Sequence, residues 1–176
     1  MDLFETIEKR YSYRGEFTAA AIPREHLTKI VEAGIRAPSA CNAQVISFVV
    51  VDDPAILEQV AEAVDRPVCY TAKALIVCVT DPRPVYHDHS FAAEDCGAAV
   101  ENMLLAITAL GYATVWLDGA LRVEDRAEHV GRILGVPSDK RVAVVLPIGV
   151  PMLPGKQRER LPFGERAWFN KYGSTG

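Results

Sequence analysis

Two clusters of polar residues in the first quarter of the chain could hold a charged, flat ligand. Arg10, Ser12 and Arg14 occupy every second position of Arg10-Tyr-Ser-Tyr-Arg14, and in an extended segment alternate side chains share one face. The spacing predicts a row of two guanidiniums and a hydroxyl, donors suited to a phosphate and an electron-rich heterocycle. Charge-assisted hydrogen bonds of this kind contribute on the order of 1.5–3 kcal/mol each where water is partly excluded. The second cluster, Pro38-Ser-Ala-Cys-Asn-Ala-Gln44, follows a helix-like run and offers neutral donors and acceptors in Ser39, Asn42 and Gln44. Together the clusters point to a bound mononucleotide.

Each also has an ordinary structural reading. Alternating polar residues describe a solvated strand edge, whose salt bridges are worth little. Serine and asparagine after a helix serve local turns. On spacing alone these readings are the commoner.

Weaker signals lie further along. Trp116-Leu117-Asp118-Gly119 follows a strand-like run and ends in a glycine, where backbone can approach a flat ligand or simply turn toward a helix. Lys156, Arg158 and Arg160 could add charge to the same phosphate, or form a solvated basic stretch. His87-Asp-His89, with Glu94 and Asp95 after it, invites a metal reading. Two histidines one residue apart share a face only in a strand, and no third ligand stands at a diagnostic spacing, so a surface loop is the simpler account. Neither nucleotide-binding glycine fingerprint occurs, and Cys41 has no evident histidine partner.

The elements that must position these residues follow from periodicity. Asp2 to Glu5 resembles a capping box opening a short helix before Arg10. Ile22-Pro23 opens a second helix with Leu27, Ile30, Val31, Gly34 and Ile35 as its apolar stripe, ended by Ala37-Pro38. Strands are predicted at Val45–Val51, Ala74–Thr80, Thr114–Leu117 and Arg141–Val150. Asp53-Pro54 caps a helix with stripe Leu57, Val60, Ala61 and Val64, and Glu124–Leu134 forms another. The longest helix spans Phe91–Leu110, with Cys96, Ala99, Val100, Met103, Leu104 and Ile107 at steps of three and four, and Gly111 stops it. Alternation of strands and helices after residue 45 favours a parallel βαβ sheet. Two helices precede any strand, however, so pattern alone leaves α/β and α+β open.

Bulk properties narrow the class. The chain of 176 residues shows no linker, so residues 1–176 are expected to form a single domain, with 151–176 a coreless extension. A net charge of −4 disfavours nucleic acid. The apolar runs are too short to span a bilayer, and the N-terminus lacks a signal-peptide pattern. Four widely spaced cysteines without a C-x-x-C pair fit reduced thiols, and a cytoplasmic location is expected.

Taken in order, the motifs resemble the nitroreductase family of FMN-dependent oxidoreductases over nearly the whole chain. Arg10-Tyr-Ser-Tyr-Arg14 is similar to the family's R-x-S-x-[RK] segment, and Pro38 to Gln44 to its P-S-x-x-N-x-Q loop. Glu101-Asn-Met-Leu-Leu and Gly111 to Trp116 resemble the central helix and following strand, and Leu146 to Pro151 the last strand with its Gly-x-Pro turn.

The resemblance implies an α+β fold, a mixed or antiparallel sheet flanked by helices in an intertwined homodimer, with FMN at the subunit interface and residues 151–176 packing on the partner. Arg10 and Ser12 would hold the phosphate and ribityl end, Arg14 the pyrimidine edge, and Tyr11 would contribute through its backbone. Pro38, Ser39, Asn42 and Gln44 would come from the other subunit's loop. Leu117, Asp118 and Gly119 would lie over the ring, a backbone N–H near flavin N5. Arg158 and Arg160 would complete the phosphate site, and Lys73 matches a ring-contacting lysine of some members. Tyr70 stands where members often have asparagine. The implied activity is ping-pong hydride transfer from NADH or NADPH through the flavin to a nitroaromatic, quinone or similar acceptor, with no protein group as acid or base. Other readings are a reductive dehalogenase, a flavin-fragmenting enzyme, a flavin-storage module, or a metal enzyme using His87, His89 and Glu94.

Overall fold

Seven consecutive residues, Ala74–Thr80, are all buried and form the middle strand of the sheet. In a computed structural model describing residues 1–174, this strand, β2, lies between β1 (Ile46–Val51) and β3 (Arg141–Ile148). Both neighbours run antiparallel to it, Val51 opposite Leu75 and Ala74 opposite Ile148. The parallel arrangement that alternation favours is therefore not the one adopted. The connection from β1 to β2 leaves and re-enters at the same end of the sheet. Its helices, α3 (Pro54–Val64) and the short α4 (Pro67–Tyr70), swing out against α6 (Arg126–Ile133) instead of crossing the sheet.

Side chains of β2 alternate between two cores. Leu75, Val77 and Val79 face a cluster completed by α3, α6, Tyr13 and Phe17. Ala74, Ile76 and Cys78 face a cluster built from α2 (Arg24–Ile35) and α5 (Ala92–Ala109). A register shift opposite Cys78/Val79 inserts one residue into β3, so Val142 and Val145, three apart, reach the same cluster.

The helices begin and end where local chemistry directs. Asp2 caps α1 (Leu3–Lys9) by accepting from the Glu5 N–H at 2.9 Å. Asp53 caps α3 through the N–H groups of Ala55 and Ile56. Gly111 and Gly135 take left-handed φ of 82° and 67° just past α5 and α6. All six apolar residues of the expected α5 stripe are buried. In α2, Leu27, Ile30 and Gly34 are buried, whereas Ile35 faces solvent.

The strand expected at Thr114–Leu117 survives only as two bridges, Ala113 to Gly149 and Leu117 to Val145. Midway between them Val115 stands opposite Pro147, which has no N–H to donate, so the ladder is interrupted. Ser12 pairs parallel to Thr114 on the outer side. The extended order is thus β1, β2, β3, 113–117, then the Arg10–Arg14 segment at the edge.

Phe17 fastens that edge. It bridges to Pro151, and its ring packs directly on Gly149, where a Cβ would come within 2.5–2.7 Å of Phe17 side-chain atoms. Gly149→Ala is expected to lower stability by about 1–3 kcal/mol, the usual cost of overpacking. Urea unfolding of the two proteins checks this, and equal midpoints would contradict it.

Candidate functional site

The Arg10–Arg14 segment is extended, and its alternation holds. Tyr13 is buried, and Tyr11 packs against the same cluster. The Tyr13 ring lies 6.2 Å from Tyr11 and 5.2 Å from Phe17, centre to centre. Its hydroxyl donates to the Glu16 carbonyl at 2.6 Å and accepts from the Met152 N–H at 3.1 Å. Burial raises the Tyr11 phenol above its ordinary pKa and keeps it neutral. With both tyrosines turned into the core, Arg10, Ser12 and Arg14 emerge on the opposite face, toward α5. Arg10 Nε meets Glu101 Oε1 of α5 at 3.6 Å. Arg14 is exposed and forms no ion pair among the described residues. Thr114, paired with Ser12, carries a buried hydroxyl with no partner among the described residues.

The C-terminal tail returns to this row. Gln157 Nε2 donates to the carbonyls of Ile7 at 3.1 Å and Arg10 at 2.9 Å. Gly155 packs flat on the Tyr11 ring, a position no Cβ could occupy. Arg158 follows directly and Arg160 two residues later, both exposed. Gln157 therefore brings the tail backbone that carries Arg158 next to the Arg10 backbone. Residues 151–157 lie on their own chain, while Leu161, Phe163, Phe169 and Tyr172 beyond them are 62–90% exposed.

The Pro38–Gln44 loop stands elsewhere. It leads into β1, at the far edge of the sheet from Ser12, roughly 19 Å away at four strand spacings. Cys41, Asn42 and Gln44 all take left-handed φ of 51–53°, a conformation costing non-glycine residues about 1–2 kcal/mol each. Three anchors hold it. Asp95 Oδ1 of α5 accepts from the Ala40 N–H at 3.0 Å, Ser39 Oγ from the Gln44 N–H at 3.1 Å, and the Ala43 carbonyl from Arg83 at 3.1 Å. Within one chain, α5 stands between this loop and the arginine row.

Asp118 caps a single 3-10 turn, Gly119–Arg122. Its Oδ1 accepts from the Gly119 N–H at 2.6 Å, and its Oδ2 from Arg122 at 3.1 Å. The Gly119 N–H, one of the three backbone donors of the segment expected over the ring, is thus engaged by its neighbour here. A Cβ on Gly119 would meet nothing within 4 Å, so the space beside it is open. Leu117 is half-buried, its backbone paired with Val145.

Lys73 is not brought to the arginines. Its N–H bonds the Ile148 carbonyl, three strand spacings or about 14 Å from Ser12. Its side chain lines a separate cavity of about 420 Å³ with Asp52, Leu57 and Tyr70. A cavity of about 650 Å³ between α5, Trp116 and α6 takes in only Asp118 of the expected residues. His87 and His89 sit on an exposed hairpin turn, and Asp95 points inward to Ala40. No group of three metal-ligating side chains forms among the described residues.

Three residues escaped the sequence reading of the site: Glu101, Gln157 and Asp95 as an anchor. Each acts on a residue at least 55 positions away, and no local spacing reports such a contact.

A model of the nitroreductase family matches residues 7–68 and 63–150. A protein of Archaeoglobus fulgidus assigned as an NADH dehydrogenase/NAD(P)H nitroreductase is 37% identical over 131 residues, 74% of this chain and 75% of its own length. The NADPH-flavin oxidoreductase of Vibrio harveyi is 29% identical over 180 residues, 96% of this chain and 73% of that protein. The crystal structure of the Vibrio harveyi NADPH:FMN oxidoreductase with NAD+ superposes with a TM-score of 0.82 at 26% identity, covering 98% of this chain and 79% of that one. Fold, motif order and these likenesses agree: the chain belongs to the nitroreductase family.

Thiol accessibility provides a check on the loop. Cys41 is exposed, whereas Cys69, Cys78 and Cys96 are buried. Burial pushes the Cys69 thiol up to about 12, and a hydrogen bond shared with Cys96, followed by burial, raises Cys78. A disulfide-exchange reagent is expected to titrate no more than one thiol per native chain and four in guanidinium. Rapid reaction of two or more native thiols would refute this packing.

Proposed function

We propose that the chain is an FMN-dependent oxidoreductase that draws electrons from NADH or NADPH and works as a homodimer with FMN at the subunit interface. The observation that carries the reading is the row of Arg10, Ser12 and Arg14 on one face beside the unpaired hydroxyl of Thr114, with Arg158 directly following the Gln157 that bonds the Arg10 backbone. That donor set suits a phosphate dianion joined to a polar heterocycle. Bound FMN would supply the redox chemistry, hydride exchange at N5 that links the nicotinamide donor to a nitroaromatic, quinone or other electron-poor acceptor in a ping-pong sequence.

The chain's own residues bind and orient. Arg10, Ser12, Arg158 and Arg160 are assigned to the phosphate end. Glu101 steers the Arg10 guanidinium from α5. Arg14, without a protein counter-ion, is assigned to the pyrimidine edge, where its charge makes the cofactor easier to reduce. Tyr11 and Tyr13 hold the segment's backbone in place from the core. Leu117, Asp118 and Gly119 border the ring, and the open space at Gly119 admits a flat ligand close to backbone. Lys73 is assigned to the ring as well, its backbone three strand spacings from Ser12.

Pro38, Ser39, Asn42 and Gln44 are assigned to the flavin of the partner subunit. Their distance from the arginine row within one chain supports that division. So do the exposed apolar residues of the tail and of α1, where Leu3, Phe4 and Ile7 are 60%, 77% and 44% exposed. The connection Asp81–Phe91 contains a hairpin turn and no helix, so nothing in it covers the flavin like a lid. An uncovered face favours a broad range of acceptors. No helix among the described residues is long and apolar enough to cross a membrane, and we place the enzyme in the cytoplasm with its reduced-nicotinamide supply.

The purified protein is expected to be yellow, or to become so with FMN, and its visible bands to bleach anaerobically with NADH or NADPH. A colourless protein that takes up no FMN would sink the proposal, and a flavoprotein that neither nucleotide reduces would make it a storage module. Arg14→Ala is expected to lower the two-electron midpoint potential by roughly 30–65 mV, the equivalent of one charge-assisted interaction. Spectroelectrochemistry reads the value, and an unchanged potential would remove Arg14 from the pyrimidine edge.

A further inference from the structure

Asp95 lies in the first turn of α5 and is 6% exposed. Its Oδ1 accepts from Ala40, but no donor among the described residues reaches its buried Oδ2. A buried carboxylate oxygen without a donor is costly, and native structures rarely leave one so. Asp95 is among the residues lining a cavity of about 60 Å³ between α2, α5 and the start of β1. Ser39 and Gln44 line the same cavity. Ser39 Oγ already accepts from the Gln44 N–H, which leaves its own O–H proton to donate. The space exceeds the roughly 10–15 Å³ that one water needs, and the walls offer both an acceptor and a donor.

We infer that Asp95 is the positioning residue of the Pro38–Gln44 loop, clamping Ala40 directly and orienting the Ser39 hydroxyl through a water bound in this cavity. The water donates to Asp95 Oδ2 and accepts from Ser39. Ser39 Oγ is thereby turned to receive the Gln44 N–H, and the segment from Cys41 to Gln44, left-handed at Cys41, Asn42 and Gln44, is held between two fixed points. The conformation that presents Ser39 and Asn42 is set from behind, by a residue that touches no ligand. Its consequence for flavin binding rests on the function proposed above, but its consequence for the loop does not.

Residue-resolved hydrogen exchange on the FMN-free protein comes first. In Asp95→Ala, the amides of Ala40 and Gln44 are expected to exchange about tenfold faster or more, while Ile76 and Val77 in β2 keep their rates. Asp95→Asn, nearly isosteric, separates the two roles and guards against loss of the fold. Its amide oxygen still accepts from Ala40, whose exchange is expected to stay within about threefold of wild type. Its NH2 presents donors to the water, turning the Ser39 proton away and speeding Gln44 exchange by about fivefold or more. Unchanged loop exchange in Asp95→Ala, or unchanged Gln44 exchange in Asp95→Asn, overturns the inference.

FMN affinity, read by fluorescence quenching, then tests the consequence with a double-mutant cycle. Asp95→Ala and Ser39→Ala are each expected to weaken binding about tenfold or more, and the double variant to lie within about threefold of the weaker single one. Fully additive losses mean that Asp95 does not act through Ser39 and also overturn the inference. A wild-type protein that binds no FMN defeats the proposed function instead, and the exchange data then decide the role of Asp95 alone.

Discussion

The hydroxyl of Tyr13 joins two parts of the chain that lie 139 residues apart in sequence. It donates to Glu16 and accepts from Met152, so the N-terminal segment and the start of the tail share one buried atom. Because Tyr13 and Tyr11 must both face the core, period-two geometry obliges Arg10, Ser12 and Arg14 to face the other way. Without that burial the arginines would have no common direction. The tail depends on the same segment, since Gly155 rests on Tyr11 and Gln157 bonds the backbone of Arg10. Hydrophobic burial on one face of a short edge segment thus organises the charge on the other.

The second half of the site obeys a different constraint. Its loop carries three non-glycine residues in the left-handed region, and such strain persists only where the surroundings over-determine it. Asp95 on α5 and Arg83 within the connection after β2 supply that restraint. The arginine row is therefore shaped by the core, and the loop by polar anchors. The two are kept apart within a chain by α5, the helix that also supplies Glu101 and Asp95.

Much of the local structure was legible in the sequence. The caps at Asp2 and Asp53, the stops at Gly111 and Gly135, the buried stripe of α5 and the full extent of β2 follow from short-range sterics and side-chain period. The Arg10 row was legible for the same reason. Strand direction was not, because a helix between two strands can return the chain to either end of the sheet. The strand at Thr114–Leu117 shows the limit of propensity. Its residues suit a strand, but the ladder fails at Pro147, more than thirty positions later in the sequence.

By itself, then, the sequence determined which residues share a face, where helices start and stop, and which side chains carry charge without a neighbour in the chain to neutralise it. Backbone geometry acts over three or four residues, and those facts need no more. Tertiary structure alone decided that Gln157 would bring Arg158 to Arg10, that Lys73 would open into another cavity, and that Asp95 would be buried behind Ser39 instead of joining His87 and His89. Those outcomes depend on which edges pair and which faces pack, and long-range burial selects among arrangements that local patterns leave equivalent.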